Sequence, residues 1–367
     1  MNKTIVVSAL AALCFAGCNK KNDSGTGGGA PMVKEDKAGE VKRDEPPAPS
    51  ASVSLNASGS TFQKAYQEVA IEAFTKANAG VKINYGGGGS GKGRQDLADQ
   101  VVDFAGADSP YKDADLGKNK GGDVLYFPIL LGAITLSYNL DGVDQLQLSP
   151  PTIAKIFQRE IKKWNDPAIA GDNPGAKLPA TDIVVAHRAD GSGTTDNFTK
   201  YLDKTAKDVW KLKSGSTVEW PADSQAGNGN AGVAQIVKAT KGAVGYVDLS
   251  DAKASGLHYA SVKNAGGKFV VPSADSSSAA GEGIDVKDNL LFSALDPKGD
   301  AAYPITYQSW VIVYAKQADH AKGTALKAYL KYLITDGQAE LKPLDFAPLP
   351  KSLADKAVAQ LEKLVVQ

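Results

Sequence analysis

Cysteine is nearly missing from this 367-residue chain: it has two, Cys14 and Cys18, both within the first eighteen positions. The body therefore has no material for an intradomain disulfide or a thiolate metal cluster. Histidine is as scarce, with only His187, His258 and His320, and no His/Asp group stands at metal-ligand spacing, so a metal-dependent phosphatase has no support. Neither sign of charge prevails, since 41 Lys and Arg face 41 Asp and Glu. No global field recommends nucleic acid or an anionic membrane surface as a partner. Beyond the first twenty residues no apolar run is long enough to span a bilayer. What is present is a globular composition, 43% hydrophobic and 22% charged, with length for two or three domains. Glycine is in excess: 38 residues, about one in ten against an average of about 7%.

The N-terminus reads as an address. Lys3 gives a positive start, Ile5 to Ala16 is apolar but too short for a permanent span, and Leu13-Cys14-Phe15-Ala16-Gly17-Cys18 follows. Two small residues before a cysteine resemble the lipobox of bacterial lipoproteins. Residues 1–17 are then a lipoprotein signal peptide, with Cys18 as the lipidated mature N-terminus. Phe15 departs from the aliphatic residue usual there, and a plain secretory signal is the alternative; export is expected either way. Residues 18–52 are rich in Gly, Pro, Ser and mixed charge without aromatics, too polar to offset their ordering entropy. They are expected to form a disordered tether with a reach on the order of 30 Å. The mature protein is expected to be exported and lipid-anchored to a bacterial membrane, facing the periplasm or the outside.

From Val53 the chain alternates strand and helix patterns, which predicts an α/β protein. Val53 to Leu55 and Val81 to Tyr85 predict strands, and Val102 to Ala107 a buried one. Leu125 to Tyr138 reads as two apolar runs. Ile183 to Ala186, Gly242 to Val247 and Ile305 to Tyr314 predict further strands. Phe62, Tyr66, Val69, Ala70, Ala73 and Phe74 share one helical face. Pro150-Pro151 opens a helix, Phe198, Tyr201 and Leu202 lie on another, and the C-terminus is helical around 325–334 and 354–364.

Three turns, each after a predicted strand and before a predicted helix, collect small residues: Gly59-Ser60-Thr61-Phe62, Gly86-Gly87-Gly88-Gly89-Ser90-Gly91 and Asp190-Gly191-Ser192-Gly193-Thr194. At such helix starts the first N–H groups lack intrahelical partners and the macrodipole is positive, so each turn can cap a helix or hold an anion. The glycine run imitates two nucleotide motifs. Gly86, Gly88 and Gly91 match G-x-G-x-x-G, and Gly86 to Lys92 begin a P-loop, but Gly93 stands where Mg²⁺ needs Ser or Thr. An earlier strand and helix also precede the turn, against the dinucleotide reading. Asp108 follows a strand at the end where open α/β sheets bind ligands. Arg188 can fork two N–H groups to an oxyanion, with Asp190 holding the guanidinium; a turn acid and a surface ion pair are the plainer alternatives.

Together, GSTF at 59–62, GGGGSGKG at 86–93, DFAGADSP at 103–110 and RADGSGT at 188–194 resemble the periplasmic phosphate-binding proteins of the high-affinity phosphate ABC transporter, the PstS family. IKKWNDPAIAGDNPGAKLP at 161–179, GSTVEWP at 215–221, GAVGYV at 242–247 and YPIT at 303–306 extend the likeness to essentially Val53 to Gln367. The resemblance implies a type II periplasmic-binding-protein fold of two α/β lobes closing on a ligand. Lobe 1 would hold 53–135 and 303–367, and lobe 2 136–302. It implies inorganic phosphate as ligand, transporter permease subunits as partner, a monomer, no cofactor and no catalysis. Carried over by position, Thr61, Phe62 and Ser90 would donate from one lobe. Arg188, oriented by Asp190, would donate from the other with Ser192, Gly193 and Thr194. Asp108 would be the one acceptor, useful because phosphate near neutral pH keeps an O–H that sulfate lacks. His187 and Lys92 have no such role, and Ser60 is a small departure from the pattern. Rival readings are another oxyanion or a sensing relative on the same fold, and, at a distance, a phosphoester hydrolase. For the last, Gly191-Ser192-Gly193 does not complete G-x-S-x-G.

Overall fold

The computed structural model describes residues 52–367, so the expected signal peptide, Cys18 and nearly all of the tether lie outside the described residues. The first half runs β1 (Val53–Gly59), α1 (Lys64–Ala77), β2 (Val81–Gly88), α2 (Gly89–Ala98), β3 (Phe104–Ala107), α3 (Asp113–Leu116) and β4 (Val124–Tyr138). The middle adds β5 (Gln147–Leu148), α4 (Pro150–Phe157), α5 (Pro167–Asp172), β6 (Val184–Arg188), α6 (Gly193–Thr205), β7 (Gln225–Gly227), α7 (Gly229–Ala239), β8 (Ala243–Asp248) and α8 (Leu249–Ala254). Three short strands follow, β9 (His258–Tyr259), β10 (Ser261–Lys263) and β11 (Phe269–Val270), then α9 (Ala274–Ala280). The chain ends with β12 (Thr306–Tyr314), β13 (Lys316–Gln317), α10 (His320–Ile334), α11 (Lys351–Gln360) and β14 (Val365–Val366).

One sheet carries the site, in the order β2-β1-β3-β12-β4-β8-β6-β7 with β9 beside β4. β1, β2 and β3 are parallel, as are β6, β7 and β8. Between these two parallel groups β4 runs antiparallel to its neighbours. It pairs with β12 over Val124–Ala133 and with β8 over Ile134–Tyr138. The fold is thus two α/β lobes sharing a sheet.

The two apolar runs expected over Leu125 to Tyr138 form one unbroken strand. Its residues from Tyr126 to Tyr138 are buried, and its polar members Thr135 and Ser137 satisfy each other at 2.7 Å without breaking the strand. Pro128, which removes a ladder donor, sits opposite Trp310 where the register shifts between Ser309 and Trp310, the kind of bulge that tolerates proline. On α1 the inward face is Tyr66, Gln67, Ala70 and Phe74, while Val69 and Ala73 are half-buried. Phe62 enters the core ahead of the helix, against Tyr307 and Phe346.

Candidate functional site

The C-terminal ends of β1, β2, β3, β6 and β7 meet, and the helices that follow start there. The glycine run is less a loop than a direct change of element: β2 ends at Gly88 and α2 begins at Gly89. Gly88 and Gly89 have φ of +117° and +89°, the left-handed region that glycine enters without steric cost. Behind them, a Cβ on Gly93 would fall 2.6 Å from Gly59 Cα and 2.9 Å from the Gly106 carbonyl. That contact is what seats the start of α2 against β1 and β3.

The structure brings the residues predicted for the site to one place. Asp108, 1% exposed, follows β3. Ser60 donates to both of its oxygens at 2.6 and 2.7 Å, Ser90 to Oδ2 at 3.1 Å and Ser309 of β12 to Oδ1 at 2.5 Å. Burial raises the Asp108 carboxyl above its ordinary range, while the three hydroxyls and the Arg188 charge pull it back. Arg188, 4% exposed, forks to Asp190 through Nε at 2.7 Å and through a second, shorter bond from Nη2. Burial works against the guanidinium, but the Asp190 carboxylate outweighs it and the net shift is upward. Asp190 is correspondingly held low, since Arg188 and the Gly229 N–H overcome its own desolvation.

The loops of the two lobes touch. Gly91 N–H donates to the Gly191 carbonyl at 2.8 Å, and Asn197 Nδ2 to the Asp108 carbonyl at 2.7 Å. A Cβ on Gly193 would lie 2.4 Å from Ser90 Oγ and 2.7 Å from Asp108 Oδ2, so glycine is what lets α6 reach the facing lobe. Ser192 caps α6, its Oγ accepting from Thr195 N–H, and its own N–H is taken by the Ser216 carbonyl at 2.9 Å. What Ser192 can offer a ligand is therefore its hydroxyl hydrogen. Gly193 and Thr194 open the helix with amide N–H groups that no intrahelical carbonyl reaches. Phe62 N–H points at Ser60 Oγ, 3.1 Å away.

Several residues of the site escaped the sequence reading. Asn230 is fully buried in the first turn of α7. It lies 3.3 Å from Thr61 Oγ1 and 3.4 Å from Thr194 Oγ1, between a residue of each lobe. Thr194 Oγ1 also meets Tyr307 at 3.2 Å. The Gly227-Asn228-Gly229-Asn230 turn is a fourth strand-to-helix junction of the kind already singled out, hidden because β7 is three residues long. Beside Thr61 and Phe62, a cavity of about 250 Å³ reaches Asn230, Asp248 and Asp251. The two residues set aside in the sequence are engaged otherwise: His187 stacks on Trp220 with ring centroids 5.3 Å apart, and Lys92 pairs with Asp96 on α2. Among the described residues no group of three or more His, Cys, Asp or Glu could hold a metal ion.

The assembled site is a set of neutral donors at helix starts, one guanidinium neutralised by its own aspartate, and one buried acceptor. It fits a small anion that also carries a hydrogen.

Comparison with known proteins gives the family. The pattern of the PBP superfamily domain matches residues 46–337. The phosphate-binding protein PstS of Xylella fastidiosa (strain Temecula1) is 35% identical over 357 residues, covering 95% of this chain and 94% of the relative. PstS of Pasteurella multocida is 38% identical over 288 residues, 77% of this chain and 82% of its own. A high-affinity periplasmic phosphate-binding protein solved with phosphate bound superposes with a TM-score of 0.71 at 21% identity, over 86% of this chain and 96% of its own, a likeness of fold. On the pattern match and the extent of these identities, the chain belongs to the PBP superfamily and, within it, to the PstS phosphate-binding proteins.

Proposed function

We propose that this protein binds inorganic phosphate, as HPO₄²⁻ or H₂PO₄⁻, in the cleft between its lobes and delivers it to the permease of a phosphate ABC importer. The observation that carries the reading is the buried carboxylate of Asp108, set among donors. A carboxylate facing an anion is favourable only if that anion brings a hydrogen, and phosphate does where sulfate does not. Thr61, Phe62 through an N–H shared with Ser60 Oγ, Ser90 through its N–H because its hydroxyl serves Asp108, Arg188, Ser192, Gly193 and Thr194 are the proposed donors, with Asp190 as the guanidinium's holder. Most of the attraction then comes from prearranged dipoles, which keeps reorganisation on binding small.

In this reading lobe 1 is 53–135 with 303–367 and lobe 2 is 136–302. The change of β4 partner between Ala133 and Ile134 and the start of β12 at Thr306 support it. Lipidation at Cys18 would hold a monomeric carrier at the membrane, on the periplasmic or outer face. The role is carriage rather than catalysis, since His187 is occupied by Trp220 and the Arg188 carbonyl instead of activating a nucleophile. Calorimetric titration of the protein, stripped of bound ligand, tests the reading. Phosphate and arsenate, which both carry a hydrogen, should bind; sulfate bound as tightly as phosphate would refute it.

A further inference from the structure

Each of the three seryl hydroxyls on Asp108 has its acceptor side already filled by a donor, and this fixes where its hydrogen goes. Ser90 Oγ accepts from the Asp108 N–H at 3.0 Å. Ser60 Oγ accepts from Phe62 N–H at 3.1 Å. Ser309 Oγ accepts from Gln63 Nε2 at 2.7 Å. Each hydrogen is left to point at the carboxylate. A carboxylate offers about four acceptor positions; three hydroxyls, with Ser60 shared across both oxygens, leave room for about one more O–H.

Behind Ser309 the polarity is carried a long way. Tyr329 of α10 donates to Gln67 Oε1 at 2.7 Å, so Gln67 presents its amide nitrogen to Gln63 Oε1, also at 2.7 Å. Gln63 therefore presents its own nitrogen to Ser309. A second contact locks that direction: Gln63 Nε2 lies 3.1 Å from the Trp310 carbonyl, which can only accept. Turning the amide over would set two oxygens against each other. Gln63, Gln67, Ser309 and Tyr329 are all buried, so no solvent can substitute for a missing partner.

We propose that Gln63, held by Tyr329, Gln67 and the Trp310 carbonyl, is a positioning residue that turns the Ser309 hydroxyl toward Asp108 and so keeps that carboxylate the acceptor which demands a hydrogen on the ligand. The proposal rests on the phosphate reading above. The charged and titratable groups facing Asp108 are Arg188 of β6, Arg94 of α2, Tyr85 of β2 and Tyr307 of β12. None of these takes part in the relay, so they form a constant background when it is cut.

The test is phosphate affinity by calorimetry from pH 8 to pH 4.5 for the full chain, Gln63→Met and Ser309→Ala, with thermal unfolding of each ligand-free protein as the folding control. Inorganic phosphate's own titration is common to all three. Losing one oriented donor to an ionised group should move the acid limb of binding upward by about one pH unit in both variants. Ser309→Ala removes one oxygen and keeps the fold if Gln63→Met does not. Gln63→Glu, which puts an acceptor where Ser309 needs a donor, should move the limb furthest. An affinity lowered equally at every pH, with the limb unmoved, would overturn the proposal while leaving the phosphate reading intact. No phosphate binding by the full chain at any pH would overturn both.

Discussion

Replacing Asp108 with asparagine is the sharpest perturbation available, because it keeps the shape and changes only charge and one acceptor. In the native site the carboxylate receives Ser60, Ser90 and Ser309 and would receive the phosphate hydrogen. The last of these is a charge-assisted bond worth about 1.5–3 kcal/mol net, so Asp108→Asn should weaken phosphate about 10- to 150-fold. The amide nitrogen also meets at least one seryl hydroxyl donor head-on, a loss of about 1–3 kcal/mol that is already present without ligand and so falls on folding stability rather than on affinity. Sulfate loses no hydrogen bond and escapes a like-charge contact. The phosphate-to-sulfate preference should therefore shrink by about two orders of magnitude, since a site built around a hydroxyl rejects ligands lacking it by about 10⁴–10⁵. Competition titration of the two anions against wild type and variant reads the ratio directly. A preference unchanged within about threefold, an error of roughly 0.6 kcal/mol, would show that Asp108 is not what tells the anions apart.

Two other outcomes are expected. Gly193→Ala should abolish phosphate binding with little change in the unfolding temperature of ligand-free protein, because the added carbon meets Ser90 and Asp108 of the facing lobe rather than its own; a large drop in that temperature would place the clash inside lobe 2. Asp248 caps α8 through Oδ1 and has an Oδ2 without a partner; burial, and then the neighbouring Asp251, push its carboxyl well up, and Asp251 is raised with it. A carboxyl raised in the folded state binds protons more readily there than in the unfolded chain, so stability should grow as pH falls from neutrality toward the ordinary carboxylate range. Asp248→Asn keeps the cap and should flatten that slope in thermal unfolding between pH 7 and pH 5; an unaltered slope would refute the assignment.

Much of the site was readable because its donors come from local motifs. Gly59 to Phe62, Gly86 to Gly91 and Asp190 to Thr194 each announce a helix start by composition, and Arg188 and Asp190 are two residues apart. The support behind them was not readable. Gln63 and Ser309 are separated by 246 positions, and on a helical wheel Gln63 and Gln67 look like ordinary polar residues beside an apolar face. Only the fold turns them inward. Ser60 looked like a harmless variation on a turn, since nothing near it in sequence indicates that its hydroxyl would straddle Asp108. Leu125 to Tyr138 reads as two apolar runs in sequence and is one strand in the fold, because the bulge that accommodates Pro128 opposite Trp310 is a property of its partner.

That strand has a mechanical meaning. At Ile134, where its partner changes, the amide still donates to the Ile305 carbonyl at 2.9 Å and the carbonyl still accepts from Tyr303 at 2.8 Å. The seam between the halves is stitched to the segment that leads into β12 instead of hanging on slack chain. Any opening must flex a bonded ribbon, and a membrane partner would read the resulting change of tilt between two stiff plates.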